Sequence, residues 1–217
     1  AEEILRKAGS LQDQLKNYQT MVLYLCSHLC EVPEVLKEEK WIPLFVKDTG
    51  GAYLRVSAES HITRLNMPQE GNQKWGASRV HKSRVNSLPQ MLQEAWYALW
   101  AGFSYSGSEK VGEIQFYLCK NMNEEFSLKS VAEKYHFSEP YFCTLFKKGT
   151  GMSVIHFVQH VRVHYGTYLI RNSEKKLQEI AEEVGFENYS YFGKLFKRYV
   201  GQTPEAYREG SEGKLGI

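Results

Sequence analysis

The sequence lacks the features that mark several large classes of protein. Its 217 residues include 4 cysteines, too few for a disulfide framework in a chain of this size, so we expect a reducing, cytoplasmic setting. The longest apolar runs, such as Met21–Cys26, are far shorter than the roughly 20 residues that span a membrane. No basic-then-apolar leader opens the chain. These absences predict neither secretion nor a membrane partner.

Excess charge is also lacking, because 27 Lys and Arg oppose 25 Asp and Glu and leave a net charge of +2. The net charge therefore gives no sign of a phosphate-bearing partner. The placement of the charges does point to such a partner. Residues Thr144–Asn172 contain no Asp or Glu, and they hold Lys147, Lys148, Arg162 and Arg171. A local run without acids is a better sign of an anion-binding surface than the overall balance. Basic stretches are still more often solvated faces than binding sites.

The first half of the chain predicts a small α+β domain. Residues 1–30 place apolar side chains at three- and four-residue steps, which predicts one amphipathic helix. This helix could dimerise the chain as a coiled coil or pack on its own domain. Trp41–Lys47 and Ala52–Ser57 predict a β-hairpin, and a further short strand is expected near Trp75–Ser78.

Leu88–Phe103 is expected to be helical. Its apolar residues lie on one side: Leu88, Leu92, Ala95, Trp96, Leu99 and Trp100. The small residues of Ser104–Ser108 indicate a domain boundary. We therefore expect a connector or dimerisation helix at 1–30, a regulatory domain at 31–108 and a further domain at 109–217.

An internal repeat is the most informative feature of the second half. Leu128, Val131, Ala132 and Tyr135 recur as Leu177, Ile180, Ala181 and Val184, displaced by 49 residues. A second group recurs with a displacement of 50: Phe142, Leu145, Phe146, Lys147, Lys148 and Gly151 as Phe192, Leu195, Phe196, Lys197, Arg198 and Gly201. Two copies with a one-residue slip are hard to obtain by chance.

Each copy predicts a short helix, a tight turn and a second helix. Ser138 is expected to cap the second helix of the first copy, with Pro140 in its first turn. Gly185 supplies the permissive backbone for the turn of the second copy. One such hairpin also occurs in plain helical bundles, whereas two in tandem with matching basic ends favour paired helix-turn-helix motifs.

These motifs resemble the signature of the AraC/XylS family of transcription regulators. The similar segments are Ile180–Phe186, Tyr191-Phe192, Phe196-Lys197 and Gly201–Arg208 in the second copy, and Ser138–Phe142, Leu145–Lys148 and Thr150-Gly151 in the first. The resemblance covers roughly Val111 to Glu209.

The resemblance implies a C-terminal all-α tandem helix-turn-helix domain joined by a long linker helix. Together with the small α+β N-terminal domain and the amphipathic helix that precedes it, both expected from the residue pattern, this predicts a mainly α fold class. The linker would be Ser153–Asn172. Gly166 stands where the family tends to place Ala, which indicates either a softer linker or a close-packing site.

The resemblance further implies a DNA-binding regulator, more often an activator, whose two recognition helices enter successive major grooves about 34 Å apart. The DNA-facing residues would be Glu139, Pro140, Cys143, Thr144, Lys147 and Lys148 on the first helix, and Asn188, Tyr189, Ser190, Gly193, Lys194, Lys197 and Arg198 on the second. The base-reading positions would be Pro140, Cys143, Thr144, Tyr189, Ser190 and Lys194.

The expected partners are double-stranded DNA and RNA polymerase, with a homodimer through the N-terminal region as a further option. No cofactor, metal or catalytic residue is expected, because the sequence has no phosphate loop and no Ser/His/Asp arrangement. Some relatives couple this domain to a repair methyltransferase with clustered cysteines, which residues 1–110 do not supply. Cys26 and Cys30, four residues apart on the expected first helix, are interpreted as buried small side chains rather than ligands.

The source of the regulatory signal stays open. Trp75–Ser78 followed by Glu94-Ala95 and Ala98-Leu99 is similar to a segment that precedes the output domain in certain response regulators. The chain is then either an output fragment of such a regulator or a one-component sensor whose ligand binds residues 30–105.

Overall fold

The computed structural model describes residues 8–27, 40–47, 50–62, 64–65, 67 and 74–212. The chain divides into two compact units, Ala1–Gly112 and Glu113–Ile217. The mainly α fold class, with a small antiparallel sheet in the N-terminal part, is confirmed. Within the described ranges, no helix combines the length and apolar character needed to cross a membrane.

The first unit is built around a mixed-length antiparallel sheet. Its elements are α1 (Ala8–Leu15), β1 (Thr20–Cys26), β2 (Trp41–Lys47), β3 (Gly50–Ser57), β4 (Trp75–Ala77), β5 (His81–Lys82), a 3₁₀ turn (Val85–Ser87) and α2 (Leu88–Ala101). The strand order is β2-β3-β1-β4, with β5 also paired to β1. The predicted hairpin, the short strand near Trp75 and the helix from Leu88 are confirmed.

The predicted single helix over residues 1–30 is wrong. Thr20–Cys26 is instead the strand β1 in the middle of the sheet, paired with β3 on one side and with β4 and β5 on the other. Met21, Val22, Leu23 and Tyr24 are all fully buried, because both faces of β1 are covered. A short apolar run of this kind fits a helical and a strand period equally well.

The described part of the first helix packs on its own unit. Leu11 and Leu15 of α1 are buried in the same apolar cluster as Met21, Leu54 and Met91. Cys26 is buried, as predicted, but it is the last residue of β1 rather than part of a helix. Residues 1–7 and 28–30 lie outside the described residues.

The segment that resembles response regulators forms the junction between the sheet and α2. A Cβ on Gly76 would lie 2.2 Å from the Ala95 carbonyl oxygen and 2.3 Å from the Leu99 amide nitrogen, so only glycine lets β4 and α2 approach this closely. Ser78 is fully buried, and its hydroxyl accepts a hydrogen bond from the Leu23 amide at 3.0 Å and donates to the Arg79 carbonyl at 2.7 Å.

Glu94 is a fully buried carboxylate at the same junction. It accepts hydrogen bonds of 2.9 Å from the Arg79 amide, the Arg79 guanidinium and the Gln90 side chain, and His81 Nε2 lies 2.9 Å from Oε2. Burial alone would raise the pKa of Glu94, but the hydrogen bond to His81 and the charges of His81 and Arg79 outweigh it and lower that pKa. The cluster ties β5 and its preceding loop to α2.

The second unit contains seven helices among its described residues. They are α3 (Glu109–Lys120, which begins before the division between the units), α4 (Leu128–Lys134), α5 (Glu139–Thr150), α6 (Val154–Asn172), α7 (Leu177–Glu183), α8 (Tyr189–Val200) and α9 (Pro204–Glu212). The pairs α4–α5 and α7–α8 are the two predicted hairpins, and α6 is the predicted linker. Cys119 is fully buried on α3.

Candidate nucleic-acid interface

The two helical hairpins have the same turn geometry. In the first, the Phe137 amide donates to the Ala132 carbonyl at 2.9 Å, and in the second, the Phe186 amide donates to the Ala181 carbonyl at 2.8 Å. Each bond closes the turn that ends the first helix of its hairpin. The repeat in the sequence is therefore a repeat in backbone geometry.

A left-handed residue stands at the same place in each turn. Gly185 has φ +86°, whereas its counterpart His136 has φ +60° and is the only described non-glycine residue with a positive φ. A Cβ on Gly185 would also lie 2.8 Å from Cζ of Arg162. The second turn therefore requires glycine for two reasons, and the first carries the strain of a side chain.

Aromatic and leucine side chains anchor the second helix of each hairpin. Phe142 and Phe146 of α5 are fully buried, and so are their counterparts Phe192 and Phe196 of α8. The Phe146 ring meets Phe157 of the linker helix at 5.4 Å between centroids. Burial of this face leaves the opposite face of each helix in solvent.

The predicted DNA-facing residues lie on or beside these outer faces. Glu139, Pro140, Thr144, Lys147, Lys148, Asn188, Ser190, Lys194, Lys197 and Arg198 are exposed, while Cys143, Tyr189 and Gly193 are half-buried. The basic pairs Lys147–Lys148 and Lys197–Arg198 occupy the last turns of α5 and α8. The structure thus brings each predicted set together on one helix.

The two helices begin differently. Asn188 Oδ1 accepts a hydrogen bond from the Tyr191 amide at 3.0 Å and so caps α8. Ser138 occupies the N-cap position of α5, but its side chain makes no capping hydrogen bond, which corrects the predicted cap. Pro140 lies in the first turn of α5, as predicted, where its missing N–H costs no helical bond.

Two predicted base-reading side chains already use their hydroxyl groups within the protein. Thr144 donates to the Pro140 carbonyl at 3.0 Å, so its proton is directed along the helix. Tyr189 donates to Glu205 of α9, and its ring packs against Phe192. Burial first, and then the hydrogen bond to Glu205 and its charge, raise the pKa of Tyr189.

Arg162 of the linker helix joins three parts of the unit. Its guanidinium donates to the carbonyls of Met122 at 2.6 Å, Glu124 at 2.6 Å and Gly185 at 2.7 Å. Burial lowers the pKa of Arg162. We call this set of bonds the Arg162 clamp: it holds the segment before α4 and the turn before α8 on the same linker.

Gly166 proves to be a close-packing site. It is buried on α6, and a Cβ there would lie 3.1 Å from two ring carbons of Phe192. The missing side chain lets the recognition helix α8 approach the linker closely. Beside this contact, a groove of about 840 Å³ opens between residues 123–126, α6 and α8, and Asn188, Ser190 and Lys194 line one wall.

Comparison with known proteins also identifies helix-turn-helix structure in the second unit. Residues 131–210 match a family described as a helix-turn-helix domain. The bifunctional transcriptional activator/DNA repair enzyme AdaA of Bacillus subtilis is 37% identical over 105 residues, which are 48% of this chain and 50% of that protein. The HTH-type transcriptional activator RhaR of Yersinia pseudotuberculosis is 32% identical over 101 residues, 46% of this chain and 35% of that protein.

The second unit is an AraC/XylS-type helix-turn-helix domain. Among solved structures, the C-terminal domain of AraT, a response regulator from Geobacillus stearothermophilus, is 32% identical with a TM-score of 0.46, covering 48% of this chain and 86% of that one. The chain spans half or less of the length of the two curated relatives.

Sequence reasoning missed several residues of the AraC-type unit. The basic run that contains Arg162 does not indicate that its guanidinium binds three carbonyls. The signature that contains Tyr141 and Tyr191 does not indicate that their side chains are 55% and 47% exposed. Their 50-residue displacement within the repeat is the signal that could have identified them as a pair.

Proposed function

We propose that this protein is a sequence-specific DNA-binding regulator of transcription. Its partner is double-stranded DNA, with α5 and α8 entering successive major grooves on one face of the duplex. The observation that carries the proposal is the Arg162 clamp, which fixes the turn of the second recognition hairpin and the segment that leads into the first to one linker helix. Because DNA is the ligand, the protein acts in the bacterial cytoplasm.

Each recognition helix has base-reading and phosphate-binding positions. Pro140, Cys143 and Thr144 on α5, and Tyr189, Ser190 and Lys194 on α8, face base edges. Lys194 suits the O6 and N7 atoms of guanine. The basic residues at the helix ends neutralise phosphates: Lys147, Lys148, Lys197 and Arg198.

The second hairpin carries more of the hydrogen-bonded specificity. Thr144 directs its proton to the Pro140 carbonyl at 3.0 Å, which leaves its methyl group for contact with thymine. Pro140 and Cys143 add little hydrogen bonding, so α5 reads by apolar contact and DNA shape. On α8, by contrast, Ser190 and Lys194 are exposed donors. Because the Tyr189 hydroxyl is hydrogen-bonded to Glu205, Tyr189 contacts a base through the edge of its ring rather than through its hydroxyl.

We propose that the protein activates transcription, and that it does so through contact with RNA polymerase. Its support is that the names of both curated relatives, AdaA and RhaR, describe transcriptional activators. The repair activity in the AdaA name is not extended to this chain. Among the described residues, Cys26 and Cys119 are buried, and no three metal-binding side chains come together.

The first unit is proposed as the regulatory unit, which receives either a phosphorylation signal relayed from a receiver domain or a small ligand. The response-regulator option is supported by Gly76, Ser78 and Glu94, which build the junction between sheet and helix at the resembling motif. A homodimer through this unit is a further proposal, which analytical ultracentrifugation of the chain tests directly.

Selection of binding sites from random duplex DNA at two salt concentrations tests the proposed function. We expect an enriched sequence with two blocks about one helical turn apart that persists at the higher salt. Enrichment of nothing, with binding that vanishes as salt rises, would reduce the interaction to phosphate attraction and contradict the proposal.

A further inference from the structure

Two large aromatic side chains remain exposed at equivalent places in the repeat. Tyr141 on α5 is 55% exposed, and Tyr191 on α8 is 47% exposed. Each ring is backed by the phenylalanine of its own turn: Phe137 lies 5.2 Å from Tyr141, and Phe186 lies 6.0 Å from Tyr191. The unit therefore presents the same half-supported tyrosine twice.

Both tyrosines lie beside the proposed base-reading faces and outside the core. Tyr191 lies one residue after Ser190 and three before Lys194, so it is displaced from them by about 100° and 60° around the helix. Tyr141 has the same relation to Pro140 and Thr144. In a helix lying in the major groove, positions displaced in this way face the sugar-phosphate walls rather than the base edges.

The hydroxyl of Tyr191 is oriented for donation. Gln159 of the linker helix donates its Nε2 proton to the Tyr191 oxygen at 2.8 Å. Because the oxygen accepts this bond, its own proton remains available for a further acceptor. The capping bond from the Tyr191 amide to Asn188, at 3.0 Å, fixes the backbone of the same residue. The side chain is thus held in place before any ligand arrives.

We propose that Tyr141 and Tyr191 are a matched pair of DNA-phosphate contacts, one beside each base-reading face. This inference rests on the proposed function and adds two neutral hydrogen-bond donors to its lysines and arginines. Neutral donors position the protein on the duplex without releasing counterions. They fix the rotation of each recognition helix in its groove, with Gln159 as a positioning residue for Tyr191.

The test measures affinity by fluorescence anisotropy over a series of KCl concentrations. The probes are a duplex of the sequence that the wild-type chain selects and, separately, poly(dI-dC). Tyr141→Phe and Tyr191→Phe are each expected to weaken binding to both probes by roughly ten-fold, since each loses one hydrogen bond to a charged acceptor. The slope of log K against log salt stays at its wild-type value. Lys147→Gln, which removes one positive charge, is the comparison and makes that slope less steep by about 0.9.

Two further variants separate a contact from a structural effect. Tyr168→Phe, on the linker helix, is the matched control and binds like the wild type. Gln159→Leu weakens binding in the wild-type background but adds nothing to Tyr191→Phe, because the two residues act through one hydroxyl.

Wild-type affinity in both Tyr→Phe variants, a change in base preference, or a change in salt slope would overturn the proposal while leaving the proposed function intact. Failure of the wild-type chain to select any sequence would instead overturn the proposed function, and this inference with it.

Discussion

The guanidinium of Arg162 donates to the carbonyl of Gly185 across 2.7 Å. Arg162 belongs to the linker helix, and Gly185 to the turn that precedes the second recognition helix. The same guanidinium binds the carbonyls of Met122 and Glu124, just before the first hairpin begins. One side chain therefore connects the linker helix to the turn of the second hairpin and to the segment that leads into the first.

Replacement of Arg162 is expected to loosen the whole AraC-type unit. Arg162→Ala leaves three carbonyls without their donor and should lower the free energy of unfolding by about 2–4 kcal/mol. Urea denaturation followed by far-UV circular dichroism measures the loss. Lys129→Ala, which removes an exposed lysine 4.0 Å from Glu133, is the control and should change stability by less than about 0.5 kcal/mol. Equal effects of the two substitutions would show that the clamp contributes nothing.

Glycine introduced into the first turn should stabilise the unit, whereas glycine removed from the second turn should destabilise it. His136→Gly removes a side chain from φ +60° and is expected to stabilise the unit by up to about 1 kcal/mol. Gly185→Ala places a Cβ at φ +86°, 2.8 Å from Cζ of Arg162, and should destabilise it by about 2–3 kcal/mol. The shift in thermal midpoint of each variant checks the signs. Destabilisation by His136→Gly would mean that the side chain at the first turn makes a contact worth more than its strain.

Glu94→Gln is expected to destabilise the first unit. Glutamine keeps one acceptor oxygen but turns an NH₂ group toward the donors Arg79, His81 and Gln90, at a cost of about 2–4 kcal/mol. Because the folded-state pKa of Glu94 is lowered, its stabilisation is complete above the unfolded value of about 4.3 and is lost as pH falls through the folded value.

Denaturation curves at a series of pH values check this dependence. The difference between the unfolding free energies of wild type and Glu94→Gln should be complete above the unfolded pKa of about 4.3 and should narrow as pH falls below it. Glu109→Gln, on an exposed glutamate, is the control. A difference that widened on acidification would contradict the assignment of a stabilising, ionised carboxylate.

Removal of two donors from α8 should relax specificity in one half-site. The double substitution Lys194→Ala and Ser190→Ala is expected to cost about 1–3 kcal/mol of discrimination at the bases they face, while the other half-site keeps its preference. Binding-site selection with the variant measures the change. Lys148→Ala, at a proposed phosphate contact, should weaken all sequences alike. A uniform loss in the double variant as well would show that the base-reading positions are misassigned.

The sequence predicted the second unit far better than the first. The hairpins and linker were predictable because each rests on local helical periodicity, repeated with displacements of 49 and 50 residues. The strand β1 was not, since Thr20–Cys26 is apolar on both faces and its partners in β3 and β4 lie about 30 and about 50 residues further along the chain. The buried face of α2 was also misplaced: Trp96 is 40% exposed, while the charged Glu94 is fully buried.

Side-chain chemistry at the interface was predicted only in part. Exposure of Thr144 and Lys194 follows from the helical pattern. The bonds of Tyr189 to Glu205 and of Arg162 to three carbonyls depend on contacts between helices that no local pattern encodes. Gly166 is a further example, because the sequence alone is compatible with a soft linker or with a close contact. The distance of 3.1 Å between a Cβ at this position and the Phe192 ring identifies the close contact.

Hydroxyl-radical footprinting on a duplex that the chain selects tests the central claim most directly. Two recognition helices fixed to one linker should protect two patches of backbone, about 10 base pairs apart from centre to centre, on one face of the DNA. Both patches should appear and disappear together as protein is titrated. A single protected patch, or even and weak protection along the whole duplex, would contradict the account.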